Sequence, residues 1–181
     1  ADCPLIDPEV VDQVVDAFLD GTHDYVTNVL TYTYPDGLDV EAFSFPALEE
    51  TWREARTPAE REHVTPYMRW SSGRFSVHSV ENPVDLPARD LRWTVDEPSD
   101  LDFVRTVYDR LWKEDQRPFG LNDVLQLLES EPHLAKMNSA SIRNEGYYKS
   151  LVSEPPVPPT DRVLKRSFEL KERAQSTVPS F

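Results

Sequence analysis

Two aspartates stand where an α/β protein keeps its chemistry. Asp2 precedes a proline-containing turn, "CPLIDPE", that leads into an apolar helix pattern. Asp96 closes the apolar run "LRWTV" as "EPSDLDFV" opens another. In open α/β sheets ligands gather outside the carboxyl ends of the strands, where loops and helix N-termini converge. Two carboxylates meeting at such a lip would suit Mg²⁺, a hard ion that accepts one or two carboxylates, keeps several waters and completes its shell with substrate phosphates. Each is equally an ordinary N-cap or turn acid, and spacing alone does not bring them together.

The elements that must position these acids are marked by local signals. Asp7 and Pro8 read as N-cap and first helical residue, and Val10, Val11, Val14, Val15, Phe18 and Leu19 recur at helical spacing until Gly21. Residues 24–30 are rich in β-branched residues and predict a strand leading to a loop. Pro35-Asp36-Gly37 predicts a turn, and 38–45 a strand passing into a helix start, with a helix over 46–55. Thr57 and Glu60 form a capping-box pattern for a helix carrying Arg61, Glu62, His63 and Tyr67, which Pro66 should kink or shorten. Residues 75–80 alternate like a half-exposed strand and 91–95 like a more buried one. A helix follows, with Ser99 and Asp102 as cap pair and Leu101, Val104, Tyr108, Leu111 and Trp112 on its inner face. Strands separated by helices favour a parallel or mixed α/β sheet.

From Phe119 to residue 152 the pattern predicts two accessory helices, capped by Asn122 and broken at Glu131-Pro132. Residues 153–161 are a Pro-rich linker and 162–175 a charged amphipathic helix within the tail 162–181.

Composition excludes several classes. Lys+Arg number 19 against 33 Asp+Glu, a formal charge of −14, so a nucleic-acid polymer would be repelled and an anionic ligand must be held locally. The single cysteine, Cys3, makes neither an internal disulfide nor a thiolate metal site; it fits a reducing cytoplasm, and its small, buried character argues against a nucleophilic role. No apolar run approaches the roughly 20 residues that cross a bilayer.

The segments "ADCPLIDPEVVDQVV", "YPDGLDVEAFSFPALEE", "REHVTPYMR" and "LRWTVDEPSDLDFVRTVY", in this order, resemble the spore-coat polysaccharide type of cytidylyltransferase, related to the acylneuraminate and 3-deoxy-manno-octulosonate cytidylyltransferases. The resemblance covers residues 1–150, including "FGLNDVLQLLE" and "IRNEGYYKSL". It implies a Rossmann-like nucleotide-diphospho-sugar transferase fold over 1–118, here its C-terminal portion, with 119–152 as accessory helices. Asp2 and Asp96 match the acids that hold the catalytic Mg²⁺. In such enzymes the "ADCP" stretch follows a Gly-rich nucleotide loop; with 5 Gly and no such loop, the chain is expected to lack its N-terminal half. The tail, "DRVLKRSFELKERAQSTVPSF", resembles the leader of glutamate-1-semialdehyde aminomutase-type aminotransferases, which implies pyridoxal phosphate in a following domain and an ordinary exposed helix otherwise.

The resemblance implies transfer of CMP from CTP to a sugar acid. Asp39 and Glu41 are candidate acceptors of sugar hydroxyls, Arg61 and His63 candidates for an anionic substrate group, and Arg92 a residue facing either the site or the sheet edge. Asp36 is a further candidate acceptor, with the turn the preferred reading; Arg61 is equally one half of a solvated pair with Glu62 and His63 a packed histidine, and Arg143 and Tyr147 read as structural. A half sheet leaves an open edge, so a homodimer is expected. A non-catalytic interaction domain and a glycosyltransferase using a nucleotide sugar remain the alternatives, since one fold hosts several activities.

Overall fold

Local capping signals set most helix boundaries in the computed structural model of the protein, which describes residues 2–71, 73–83, 91–114 and 117–139. Helix α1, Pro8–Leu19, starts where Asp7 accepts the Glu9 N–H at 2.7 Å and Pro8 fills the first turn. Its buried stripe is narrower than the valine pattern suggests: Val10 and Val14 enter the core, whereas Val15 and Leu19 face solvent.

Strand β1, Tyr25–Thr27, is wholly buried and central. Strand β2, Glu41–Phe43, pairs with it antiparallel, Tyr25 opposite Phe43, and β3, Val77–Ser79, pairs parallel, Tyr25 opposite Val77. The order β2-β1-β3 makes a small mixed sheet, as the alternating pattern predicts. Between β2 and β3 lie α2, Phe45–Glu54, α3, Pro58–Glu62, and α4, Pro66–Trp70. The capping box at α3 is present: Thr57 N–H donates to Glu60 at 2.9 Å and Glu60 N–H to Thr57 Oγ1 at 3.3 Å. Pro66 does not kink α3. It starts a separate helix.

Residues 91–95 differ from expectation. They are extended, and their recorded pairing is a single parallel bridge, Asp36 to Arg92, in place of a ladder; Trp93 is nevertheless only 1% exposed. Helix α5, Pro98–Leu111, also departs from its reading. Its inner face carries Asp100, Phe103, Val104 and Val107, while Leu101, Tyr108 and Trp112 are exposed. The cause lies at its start, where the Asp100 carboxylate, not Ser99 or Asp102, takes the Asp96 and Glu97 N–H groups at 3.0 and 2.9 Å. A carboxylate held inward at 100 turns the helix so that 103, 104 and 107 follow it.

Helix α6, Leu121–Ser130, packs on α5. Asn122 is not its cap: Asp123 accepts the Gly120 N–H at 2.9 Å and Asp7 the Leu121 N–H at 2.6 Å, so one aspartate caps α1 and α6. The second accessory helix reduces to a 3₁₀ turn, Leu134–Lys136. Residues 140–152, with Arg143 and Tyr147, the linker 153–161 and the tail 162–181 lie outside the described residues.

Two apolar clusters sit on either side of β2. The larger joins Leu38, Trp93, α5 and α6; the smaller joins Tyr25, Ala47, Met68 and Phe75. Gly37 lets the chain pass against the 91–95 segment. Its φ is +106°, and a Cβ there would lie 2.7 Å from the Trp93 carbonyl carbon. Gly37→Ala should therefore cost about 2–4 kcal/mol through strain and backbone displacement, read as a lower urea midpoint with unchanged slope. A stability loss under about 0.5 kcal/mol would show that the close approach is not needed.

Candidate active site

Asp2 and Asp96 are drawn to one edge by the main chain. Asp36 N–H donates to Leu91 O at 3.0 Å and Trp93 N–H to Asp36 O at 2.7 Å; two residues on, Val95 N–H donates to Asp2 O at 2.8 Å. The 91–95 segment is thus held by Asp36 at its start and by Asp2 at its end. Asp96 follows directly, at the turn into α5, and both Asp2 and Asp96 are exposed there.

Cys3 reports the charge gathered at this edge. Burial pushes its thiol up to about 11, and the negative charges of Asp2, Asp39, Asp36 and Asp96 push in the same direction. At pH 8 this thiol should react with iodoacetamide ~100-fold more slowly than an exposed cysteine, because so little of it is thiolate. Alkylation at the rate of a small-molecule thiol would show that Cys3 is not held in this buried, acidic setting.

Arg92 organises the cluster. Its Nε and Nη2 donate to the two Asp100 oxygens at 3.0 and 3.1 Å, Nη1 to Asp36 at 3.3 Å, and Nη2 also to Asp96 Oδ2 at 2.5 Å. Asn138 closes the underside, donating to Arg92 O and Asp100 Oδ1, both at 2.9 Å. Asp100 has no exposed surface. Burial opposes its ionisation, but the Arg92 guanidinium, two backbone N–H groups and Asn138 outweigh it and hold its carboxyl at about 2. The Arg92 guanidinium is in turn held charged, chiefly by Asp100.

The other predicted site residues are distributed differently. Asp39 lies near Cys3 with the acid cluster. Glu41 accepts the Tyr25 hydroxyl at 2.6 Å, the Thr65 hydroxyl at 3.0 Å and the Arg69 guanidinium. Arg61 stacks over Trp52, 5.3 Å from the ring centroid, and donates to Trp52 O at 2.7 Å, a packing role. His63 lies 3.9 Å from the Glu62 carboxylate on the turn after α3. Sequence reasoning missed Asp100 and Asn138 and, for Asp36, preferred the turn over a place in the site. An acid at the third position of a helix, as Asp100 is, was the one signal pointing to a capping role.

Among the described residues no three His, Cys, Asp or Glu side chains are arranged to hold a metal by themselves. Asp2 and Asp96 supply oxygen donors on an exposed edge. That is donor chemistry for Mg²⁺ finishing its shell with water and phosphate.

This is an α/β fold of the nucleotide-diphospho-sugar transferase type. It matches the solved structure of a cytidylyltransferase from Leptospira borgpetersenii with a TM-score of 0.66 and 27% identity, over 80% of this chain and 56% of that one. The chain is 31% identical over 153 residues to the uncharacterized protein MJ1063 of Methanocaldococcus jannaschii, covering 81% of this chain and 57% of that protein. It is 29% identical over 141 residues to the spore coat polysaccharide biosynthesis protein SpsF of Bacillus subtilis, covering 77% and 56%. No family model matches. The chain spans little more than half the length of these relatives. Distant homology to SpsF and the match to a solved cytidylyltransferase support a cytidylyltransferase-like assignment. No helix among the described residues is long and apolar enough to cross a membrane.

Proposed function

We propose that the protein is a Mg²⁺-dependent cytidylyltransferase that transfers CMP from CTP to a hydroxyl of a sugar acid for surface polysaccharide. The observation that carries the reading is the hydrogen bond from Val95 N–H to Asp2 O, which ties the residue before Asp96 to Asp2. The likeness to a solved cytidylyltransferase and the homology to SpsF support it independently.

In this reaction the acceptor hydroxyl oxygen bonds to the α-phosphorus of CTP as the α–β anhydride bond breaks in line and pyrophosphate leaves. When bound at Asp2 and Asp96, Mg²⁺ supplies positive charge to the phosphate oxygens. Arg92 orients the exposed Asp96 carboxylate through Oδ2, and Asp39 accepts the sugar hydroxyl's hydrogen bond and proton. Positioning and electrostatics carry most of the rate. The Gly-rich nucleotide loop belongs, in this reading, to sequence outside this chain; the 56–57% coverage of the relatives and the 5 glycines support that division. A homodimer in the cytoplasm completes the reading, supported by β2 and β3, which among the described residues each have β1 as their ladder partner.

The test is pyrophosphate release from CTP by the full-length protein across a panel of sugar acids. Release with at least one sugar acid, abolished by chelation, is expected. Background release with every member would sink the reading.

A further inference from the structure

Two histidines that take no part in the acid cluster meet where the connection from α1 to β1 passes β3. The rings of His23 and His78 have centroids 4.8 Å apart and planes 10° from parallel. His23 is half-buried just before β1, and His78 is the exposed middle residue of β3.

The backbone beneath them is fixed. β3 pairs in parallel with β1, His78 opposite Val26. Asp24 N–H donates to Ser76 O at 2.8 Å, and the Asp24 carboxylate takes the Ser76 N–H at 2.9 Å, so the two chain segments are tied just ahead of both strands. Ser76 also sets the proton on His23. Its hydroxyl donates to Thr22 O at 3.3 Å and therefore meets His23 Nδ1, 3.0 Å away, through a lone pair. Nδ1 then carries the hydrogen and Nε2 keeps its electron pair. A hydrogen bond from the nitrogen that does not bind is how metal-binding imidazoles are held.

The spacing of the rings fits a shared ion. With a metal–nitrogen bond of about 2 Å, the centre of an imidazole stands about 3.2 Å from the metal, so two rings on one ion have centres about 4.5 Å apart at a right angle and about 5.2 Å apart at the tetrahedral angle. The observed 4.8 Å lies between these limits. Parallel rings aim their lone pairs side by side, so one ring must turn about its Cβ–Cγ bond, a motion that leaves its centre in place. That torsion is broad, and His78 is exposed. Charge favours a cation here. The chain carries a formal −14, and Asp20, held below the usual carboxylate range chiefly by the Thr22 N–H and hydroxyl, lies within electrostatic reach of both rings.

We propose that His23 and His78 form a site for a borderline divalent cation of the Zn²⁺, Ni²⁺ and Cu²⁺ class, with Ser76 as a positioning residue and water filling the rest of the shell. Imidazole suits these ions as the carboxylate edge suits Mg²⁺. Among the described residues no third His, Cys, Asp or Glu completes the set, so the affinity is on the order of 10 μM, far from that of a four-ligand structural zinc site. The bound ion ties the α1–β1 connection to β3. The site stands independently of the cytidylyltransferase reading.

The experiment uses the full-length protein, stripped of metal by chelation, as wild type, His23→Asn, His78→Ala, Ser76→Ala and Asp96→Asn. His23→Asn keeps a hydrogen-bond donor for Ser76 while removing the imidazole. Electron paramagnetic resonance of the first equivalent of Cu²⁺ counts bound nitrogens, and calorimetric titration with Zn²⁺ reads affinity. Wild type should show two nitrogens; His23→Asn and His78→Ala should show at most one, each with Zn²⁺ affinity at least about tenfold weaker. Ser76→Ala should weaken Zn²⁺ by about 3–10-fold, and Asp96→Asn should leave the nitrogen count unchanged. Fewer than two nitrogens in wild type, wild-type Zn²⁺ affinity in either histidine variant, or a reduced count in Asp96→Asn would overturn the site. Wild-type affinity in Ser76→Ala would overturn the positioning role.

Discussion

Arg92→Met is expected to cost the fold about 3–5 kcal/mol, because it leaves the Asp100 carboxylate buried without its cation. The guanidinium is the common partner of Asp36, Asp96 and Asp100, and its side chain is only 10% exposed. The acid dependence separates this mechanism from simple loss of packing. In wild type the Asp100 carboxyl titrates at about 2, below its unfolded value near 3.8. Its contribution is therefore complete above about pH 4 and is lost as pH falls from there through about 2. In Arg92→Met, burial without a cation raises the Asp100 pKa, so this residue's contribution to the pH slope reverses and acidification relieves part of the loss. Combining Arg92→Met with Asp100→Asn should cost less than Arg92→Met alone. Urea denaturation at pH 7 and near pH 3.5 reads all of this, and parallel pH slopes for wild type and Arg92→Met would contradict it.

Asp96→Asn should lower kcat by about 10²–10³-fold while leaving the melting temperature within about 2 °C of wild type. The two readouts diverge because Asp96 has a different environment from Asp100. Its side chain is 56% exposed, and its pairing with Arg92, four residues earlier on the extended segment, is worth no more than about 1 kcal/mol after solvent screening. The amide keeps the size and the hydrogen bond to Arg92 but removes the charge that would face a metal ion and phosphates. Turnover in Asp96→Asn equal to wild type would take Asp96 out of the mechanism, and a large drop in melting temperature would make it a structural residue.

How far the sequence anticipates the molecule depends on whether a signal is local. Asp7-Pro8 and the Thr57/Glu60 pair announce helix starts through contacts within a few residues, and they appear where expected. The second task of Asp7, holding Leu121 N–H across 114 residues, has no local signature. Nor does the rotation of α5, which follows from Asp100 meeting Arg92 and Asn138, residues set by tertiary placement. The apolar run 91–95 is correctly buried at Trp93 but forms a bridge in place of a strand, because its N–H and C=O groups are shared between Asp36 and Asp2. Asp2 and Asp96 were visible as acids at chain turns, and only their order within the four resembling segments suggested a common site. The turn at Val64 was not legible at all, since nothing in "EHVTP" announces a valine at a φ of 63°.

The central claim is that Asp2 and Asp96 act on one divalent cation. Its most direct test is Mn²⁺ binding to the full-length protein with CTP, followed by electron paramagnetic resonance, for wild type, Asp2→Asn, Asp96→Asn and the double variant. Joint ligation predicts that each single substitution weakens protein-bound Mn²⁺ at least about tenfold and that the double variant is little worse than either. Wild-type affinity in both single variants, or independent losses that simply add, would place the two carboxylates at separate tasks and contradict the account.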